Sequence, residues 1–192
     1  MDEHGLIEAA RKGNVQAFNT LILHYQEAVY NFSLRIMGDP AAAADATQQA
    51  FISAYKALNR YRTGNFKAWL FRIANNKCYD ALRVQKRRPQ ASIDEIIEEN
   101  ESPAFLRDAS DSLEAKLEQD EMLTAIQQCL MGLSESQRSA VVLHDMEDYD
   151  YKEIATILKI SLGTVKSRLN RGRRKLQTCL RQMRELLPHK YR

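Results

Sequence analysis

The sequence predicts an all-α protein of two small helical domains joined by an acidic flexible linker, the second domain containing a helix-turn-helix. Three observations carry this. Gly and Pro are scarce, 7 and 4 in 192 residues, and they fall between stretches in which apolar residues recur every three or four positions. No stretch shows the apolar–polar alternation of a half-buried strand. Charge is distributed in blocks: residues 1–88 carry a net +6, residues 89–121 a net −9, and residues 122–192 a net +6, so the total of +3 hides two basic modules around an acidic connector.

Taken in order, a short helix over 6–12 ends at Gly13-Asn14. Phe18, Leu21, Ile22, Tyr25, Val29, Phe32 and Ile36 form one face of a long helix, which Gly38-Asp39-Pro40 stops. A helix over 41–58 follows, with Phe51, Tyr55 and Leu58 on one side; 59–65 reads as a loop. The spacing of Trp69, Ile73 and Leu82 predicts a third long helix over 66–84, running into the cations Lys86-Arg87-Arg88 before Pro89. These elements make a first domain of residues 1–88.

Residues 89–111 lose the periodicity and hold 7 acids against one base, which reads as a linker. Periodicity resumes in a second domain, 112–192. Asp111-x-x-Glu114, Ser134-x-x-Gln137 and Asp150-x-x-Glu153 each have capping-box chemistry, and Ser161 can cap a fourth helix. Leu113, Leu117, Ile126 and Leu130 supply the first apolar face, which Gly132 closes.

Residues 151–175 are the densest signal. A short amphipathic helix, the tight connection Lys159-Ile160-Ser161 and a second helix with a basic face form a helix-turn-helix layout, in which the second helix enters the major groove. Ala155 is the small residue that close helix approach requires, and Val165 packs the second helix back on the first. Lys159 stands where glycine is frequent, at some conformational cost. From 159 to 192 there are 11 bases and one acid. Thr164, Lys166, Ser167, Asn170 and Arg171 lie in the early turns that reach base edges, and Arg168 and Arg174 extend the cationic face.

A second candidate surface lies in 58–88, where aromatics and bases interleave. Arg62, Asn65, Asn76 and Lys77 are the candidates for nucleic-acid contact, and an exposed tyrosine or a loop pocket could take an unstacked base. Phe66, Trp69 and Ile73 are read as core. Catalysis is disfavoured: the four histidines are scattered, no nucleophile motif or metal-ligand spacing is present, and neither a metal nor another cofactor is expected. Cys78, Cys129 and Cys179 are expected to be reduced, small apolar residues. No apolar run reaches the ~18–20 residues of a membrane span, and no leader pattern opens the chain, so a cytoplasmic protein without membrane insertion is expected.

Four stretches in one order carry a resemblance: AFISAY at 50–55, FKAWLFRIA at 66–74, LSESQR at 133–138 and SLGTVKSRLNRGRRKL at 161–176. Together they resemble the extracytoplasmic-function sigma factors of bacterial RNA polymerase. The resemblance implies that the first domain binds the polymerase clamp and the minus-ten promoter element. Asp45, Gln48 and Gln49 would face the clamp, although the family often has an acid where Gln49 stands. The loop Tyr61, Arg62, Thr63, Gly64 and Asn65 would hold a flipped base with Asn76 near its pocket. Lys77, Arg83, Lys86, Arg87 and Arg88 would meet phosphates. The second domain would read the minus-thirty-five element through Thr164, Lys166, Ser167, Arg168, Asn170, Arg171 and Arg174. Core RNA polymerase, promoter DNA and an anti-sigma factor are the partners so implied. A stand-alone regulator with a helix-turn-helix output domain is the main rival; the helical first domain, which lacks a receiver's strand pattern, argues against it.

Overall fold

In a computed structural model the described residues, which are 2–62, 64–87 and 113–183, with backbone only for 113–120, form helices joined by short turns and loops, with no strand among them. The first domain holds α1 (Glu3–Arg11), α2 (Val15–Met37), α3 (Pro40–Ala57), a single 3-10 turn at Leu58–Arg60 and α4 (Phe66–Arg87). The second holds α5 (Leu113–Met131), α6 (Glu135–Asp145), α7 (Tyr151–Leu158) and α8 (Leu162–Gln182). The expected connector 89–111, the Asp111 capping box, Thr63 and Arg88 lie outside the described residues.

Side chains set most helix starts. Asp2, Asn14 and Asp39 accept from backbone N–H groups three residues on, opening α1, α2 and α3. The Asp2 cap starts α1 three residues before the apolar period begins. Gly38 closes α2 at φ 77°, a left-handed conformation that favours glycine, with the Met131 thioether of the second domain 2.7 Å from where a Cβ would stand. The Asp150 box forms as expected, and Ser161 caps α8 through Thr164. The Ser134 box does not form. Ser134 occupies the cap position without a side-chain hydrogen bond; Gln137, whose Cβ lies against Gly172 of α8, has its Oε1 buried without a partner among the described residues.

α3 packs between α2 and α4 and turns Ala43, Ala46, Ala50 and Ala54 inward, all 0–3% exposed, so the three helix axes approach closely. Phe32 and Phe71 meet at the centre, ring centroids 5.2 Å apart. The buried stripe of α4 is wider than its sequence period suggested. It runs through Phe66, Leu70, Phe71, Ala74, Cys78 and Leu82, because α4 is covered by α2 and α3 on one side and by α7 on the other. Trp69 and Ile73 are only half-buried.

The two domains share a seam. Arg138 of α6 is 5% exposed, and its hydrogen bonds among the described residues all go to backbone carbonyls. Its guanidinium donates to the carbonyls of Ile36, Leu130, Met131 and Leu133, at the C-terminal ends of α2 and α5. Those ends carry unpaired carbonyls and negative dipole charge, so they stabilise a buried cation. Burial draws the guanidinium pKa down, yet arginine stays charged. Beside it, the Ser139 hydroxyl donates to Asn75 Oδ1 at 2.6 Å, and the Tyr79 hydroxyl sits between Ser139 and the Glu135 carbonyl. Burial pushes the Tyr79 phenol up to about 12.

Candidate nucleic-acid interface

α7 and α8 form the expected helix-turn-helix. Lys159 adopts the left-handed conformation, φ 52° and ψ 52°, so a non-glycine residue does make this turn. Ile154, Ile157, Val165 and Leu169 are each 0–2% exposed and lock the two helices together. At 100° per residue, Ser167, Asn170, Arg171 and Arg174 stand opposite Val165 and Leu169, and all four are exposed. Thr164, Lys166 and Arg168 flank that stripe. Thr164 is partly committed to the cap, its hydroxyl 2.8 Å from that of Ser161.

α8 reaches its scaffold through two contacts that sequence reasoning missed. Gly172 lies against Val141 of α6: a Cβ there would come within 2.7 Å of Val141 Cγ2, so only glycine permits this approach. Arg173 turns away from the outer stripe and grips Asp145 of α6 with both Nε and Nη2. The signal was present in the period, since Arg173 adjoins the inward positions Leu169, Gly172 and Leu176.

In the first domain, Asn76, Asp80, Arg83 and Arg87 form an exposed stripe of α4 at spacings of four, three and four. Lys77 borders it. Asp80 places a carboxylate within the stripe, 3.4 Å from Arg83. The preceding loop departs from expectation at Tyr61. That ring is 8% exposed, held by Phe66 and Trp69, and its hydroxyl donates to the Gly64 carbonyl at 2.5 Å. Tyr61 therefore builds the loop and offers no open stacking platform. Arg62 and Gly64 are exposed. Asn65 caps α4, accepting from the Ala68 N–H at 2.9 Å, while its amide donates to Glu153 of α7 at 3.2 Å.

Asn65 is not the only first-domain site residue that meets the second domain. Lys86 is paired with Glu135 at 2.7 Å. Lys67, which lies over the rings of Phe71 and Tyr149, reaches Glu147 at 3.7 Å. Burial raises the Glu147 carboxyl above its usual range, opposed by Lys67.

On the far side of the first domain, α2 and α3 flank an open apolar groove of about 790 Å³, lined by Phe18, Ile22, Tyr30, Gln48, Ile52 and Tyr55 among others. Ile52 and Tyr55 are 40% and 42% exposed, although the sequence period had put Tyr55 with the core. Asp45, Gln48, Gln49 and Ile52 share the outer face of α3 at its rim. No helix of the described residues is long and apolar enough to cross a membrane.

Two helical units, one containing a helix-turn-helix and the other a cationic helix and an open apolar groove, define the class of a helix-turn-helix DNA-binding protein. The family profile described as Sigma-70 region 2 matches residues 21–88, and that described as Sigma-70, region 4 matches residues 123–176. The chain is 34% identical over 181 residues to the RNA polymerase sigma-H factor of Pseudomonas aeruginosa, covering 93% of both chains. It is 37% identical over 173 residues to the ECF RNA polymerase sigma-E factor of Escherichia coli K12, covering 88% of both. Among solved structures, the sigma factor RpoE in complex with the anti-sigma factor NepR from Bartonella quintana matches with TM-score 0.66 and 30% identity, over 85% of this chain and 96% of that one. CnrH in complex with the cytosolic domain of CnrY matches with TM-score 0.69 and 25% identity, over 95% and 99%. The chain belongs to the sigma-70 family, as a sigma factor of the extracytoplasmic-function group. It is a transcription initiation factor and not an enzyme; its region 2 serves the minus-ten element and its region 4 the minus-thirty-five element.

Proposed function

We propose that residues 1–88 and 112–192 are the two promoter-binding domains, that 89–111 is the tether between them, and that the contacts divide as follows. Ser167, Asn170 and Arg171 reach base edges of the minus-thirty-five element, with Thr164, Lys166, Arg168 and Arg174 on flanking phosphates. Asn76 and the exposed loop residues Arg62, Gly64 and Asn65 hold an extruded base of the minus-ten strand. Lys77, Arg83, Lys86 and Arg87 follow its backbone. The α2–α3 groove, with Asp45, Gln48 and Gln49 along α3, receives a helical segment of core RNA polymerase. An anti-sigma factor is a further partner, as for the relatives solved in such complexes, and the protein acts in the cytoplasm.

The observation that carries this reading is the pairing of two cationic surfaces, on α4 and α8 of separate domains, with an apolar groove lined by α2 and α3. DNA opening costs roughly 1.4 kcal/mol per lost stacking step. A duplex-reading helix cannot offset that cost, because it binds closed DNA. Capture of an extruded base and of the single strand by α4 can, without ATP.

The seam bears on how the protein loads. Elements about 25 base pairs apart are separated by roughly 85 Å of B-form duplex, at about 3.4 Å per step. A compact chain of this length has a radius of gyration of only about 16 Å. The two domains must therefore part before both elements are bound. A fully extended 23-residue connector reaches about 80 Å, and parting frees Asn65, Lys67 and Lys86 from the acids of the second domain.

Permanganate footprinting of holoenzyme on promoter DNA separates the two roles. Asn76→Ala is expected to leave closed-complex affinity near wild type and to reduce thymine reactivity in the minus-ten region. Arg171→Ala is expected to weaken closed-complex formation itself. Equal losses of both steps in both variants would contradict the division of labour.

A further inference from the structure

Cys129 of α5 and Cys179 of α8 are bonded to each other, against the expectation of three reduced thiols. Their Cα atoms are 5.7 Å apart, within the span a disulfide requires. We propose that this pair is a reversible dithiol–disulfide couple through which a peroxide-class oxidant stabilises the second domain. The proposal goes beyond the promoter-binding assignment and does not depend on it.

The two cysteines differ in a way that gives the couple a direction. Cys129 is 1% exposed, whereas Cys179 is half-buried, so Cys179 is the partner nearer to solvent and to a small reagent. Cys179 attacks the peroxide O–O bond as its thiolate, becomes a sulfenic acid and releases water or an alcohol. The Cys129 thiol then attacks that sulfur, forms the S–S bond and expels a second water. Two thiols are oxidised by one peroxide, which is reduced. In reverse, a dithiol reductant attacks the accessible Cys179 sulfur, frees Cys129 and leaves as its own disulfide. The third cysteine takes no part. Cys78 lies in the first domain at 0% exposure, and burial pushes its thiol up to about 11, so it has almost no thiolate at neutral pH.

The position of the bond sets its consequence. The 50-residue loop it closes contains α6, α7 and most of α8, so the whole helix-turn-helix lies inside it. Closing that loop restricts the unfolded chain of this unit. In the folded chain it ties the distal turns of α8 to α5 beside Met183, whose Sδ is 3.4 Å from Cys129 Sγ. Cys179 shares the inward side of α8 with Val165, Leu169 and Leu176, so the bond leaves the Asn170, Arg171 and Arg174 stripe outward.

The test uses the full chain equilibrated across ratios of reduced to oxidised glutathione, trapped with an alkylating reagent and mapped by mass spectrometry. The expected result is three free thiols at the reducing end and one Cys129–Cys179 bond at the oxidising end, with Cys78 free throughout. A thioredoxin-class dithiol should open the bond in the folded protein. The oxidised chain should melt roughly 10 °C or more above the reduced one. Cys179→Ala, at a half-exposed position, should melt like the reduced wild type in both conditions. Three free thiols at every ratio, a bond to Cys78 or between chains, a bond that thioredoxin-class dithiols leave intact, or equal melting of both forms would each overturn the proposal.

Discussion

At the residue scale, single side chains decide whether surfaces are presented or withheld. Arg138 satisfies four carbonyls at two helix ends, a pattern that a point-charge lysine cannot reproduce. Arg138→Met should destabilise the folded chain by about 2–4 kcal/mol, since buried carbonyls lose their donor. Urea unfolding reads this as a lower midpoint, and Arg138→Lys should recover little of it. Gly172→Ala drives a methyl into Val141 and should cost about 1–3 kcal/mol. Adding Val141→Ala should restore part of the loss; no recovery would place the strain elsewhere. None of this was legible in the sequence. Arg138 was one residue of a resemblance motif and Gly172 one residue of a basic run; the partners that give them their roles, Ile36 and the end of α5 for Arg138 and Val141 for Gly172, are brought to them by tertiary packing.

At the element scale, α4 and α8 each divide into a packed side and an outward side, and the prediction concerns which cations are free. Lys166→Ala and Arg171→Ala should weaken promoter binding, whereas Arg173→Ala should act chiefly through the loss of its α6 contact. If Lys166 meets only a phosphate, its loss should be uniform across promoters and should reduce the salt dependence by about one ion. A base-reading Arg171 should lose affinity most at its own position. Arg173→Ala should cost less than ~1 kcal/mol of stability, as befits an exposed pair. The elements themselves were legible. The 3.6-residue period with the Asp150 and Ser161 caps gives α7 and the start of α8 as observed and α3 within one residue, whereas Asn14 and Asp39, read only as stops, prove also to cap the helices that follow. Local periodicity could not show that Tyr61 is packed inward, because the rings of Phe66 and Trp69 that enclose it are placed by tertiary contacts. The same holds for Tyr55, which period alone puts in the core and which the fold leaves at the rim of a groove.

At the scale of the whole molecule, the basic–acidic–basic layout announced two binding modules, but it did not announce that they would meet. The seam pairs first-domain cations with second-domain acids, Lys86 with Glu135 and Lys67 with Glu147. Reversing both acids, Glu135→Lys with Glu147→Lys, turns two attractions into repulsions. Small-angle scattering should then show a larger radius of gyration for the free chain, and single-stranded minus-ten DNA should bind it more tightly. An unchanged radius would mean that the buried Arg138 and Ser139 contacts alone hold the closed form.

The central claim is that this chain directs core RNA polymerase to promoters and helps open them. The most direct measurement is run-off transcription by purified core polymerase on genomic DNA, with and without the protein, followed by sequencing of the transcript starts. The account predicts discrete starts that appear only when the protein is added, that share upstream minus-thirty-five and minus-ten sequences, and that are lost with Arg171→Ala. An unchanged set of starts, together with tight binding to duplex DNA in the absence of polymerase, would contradict it.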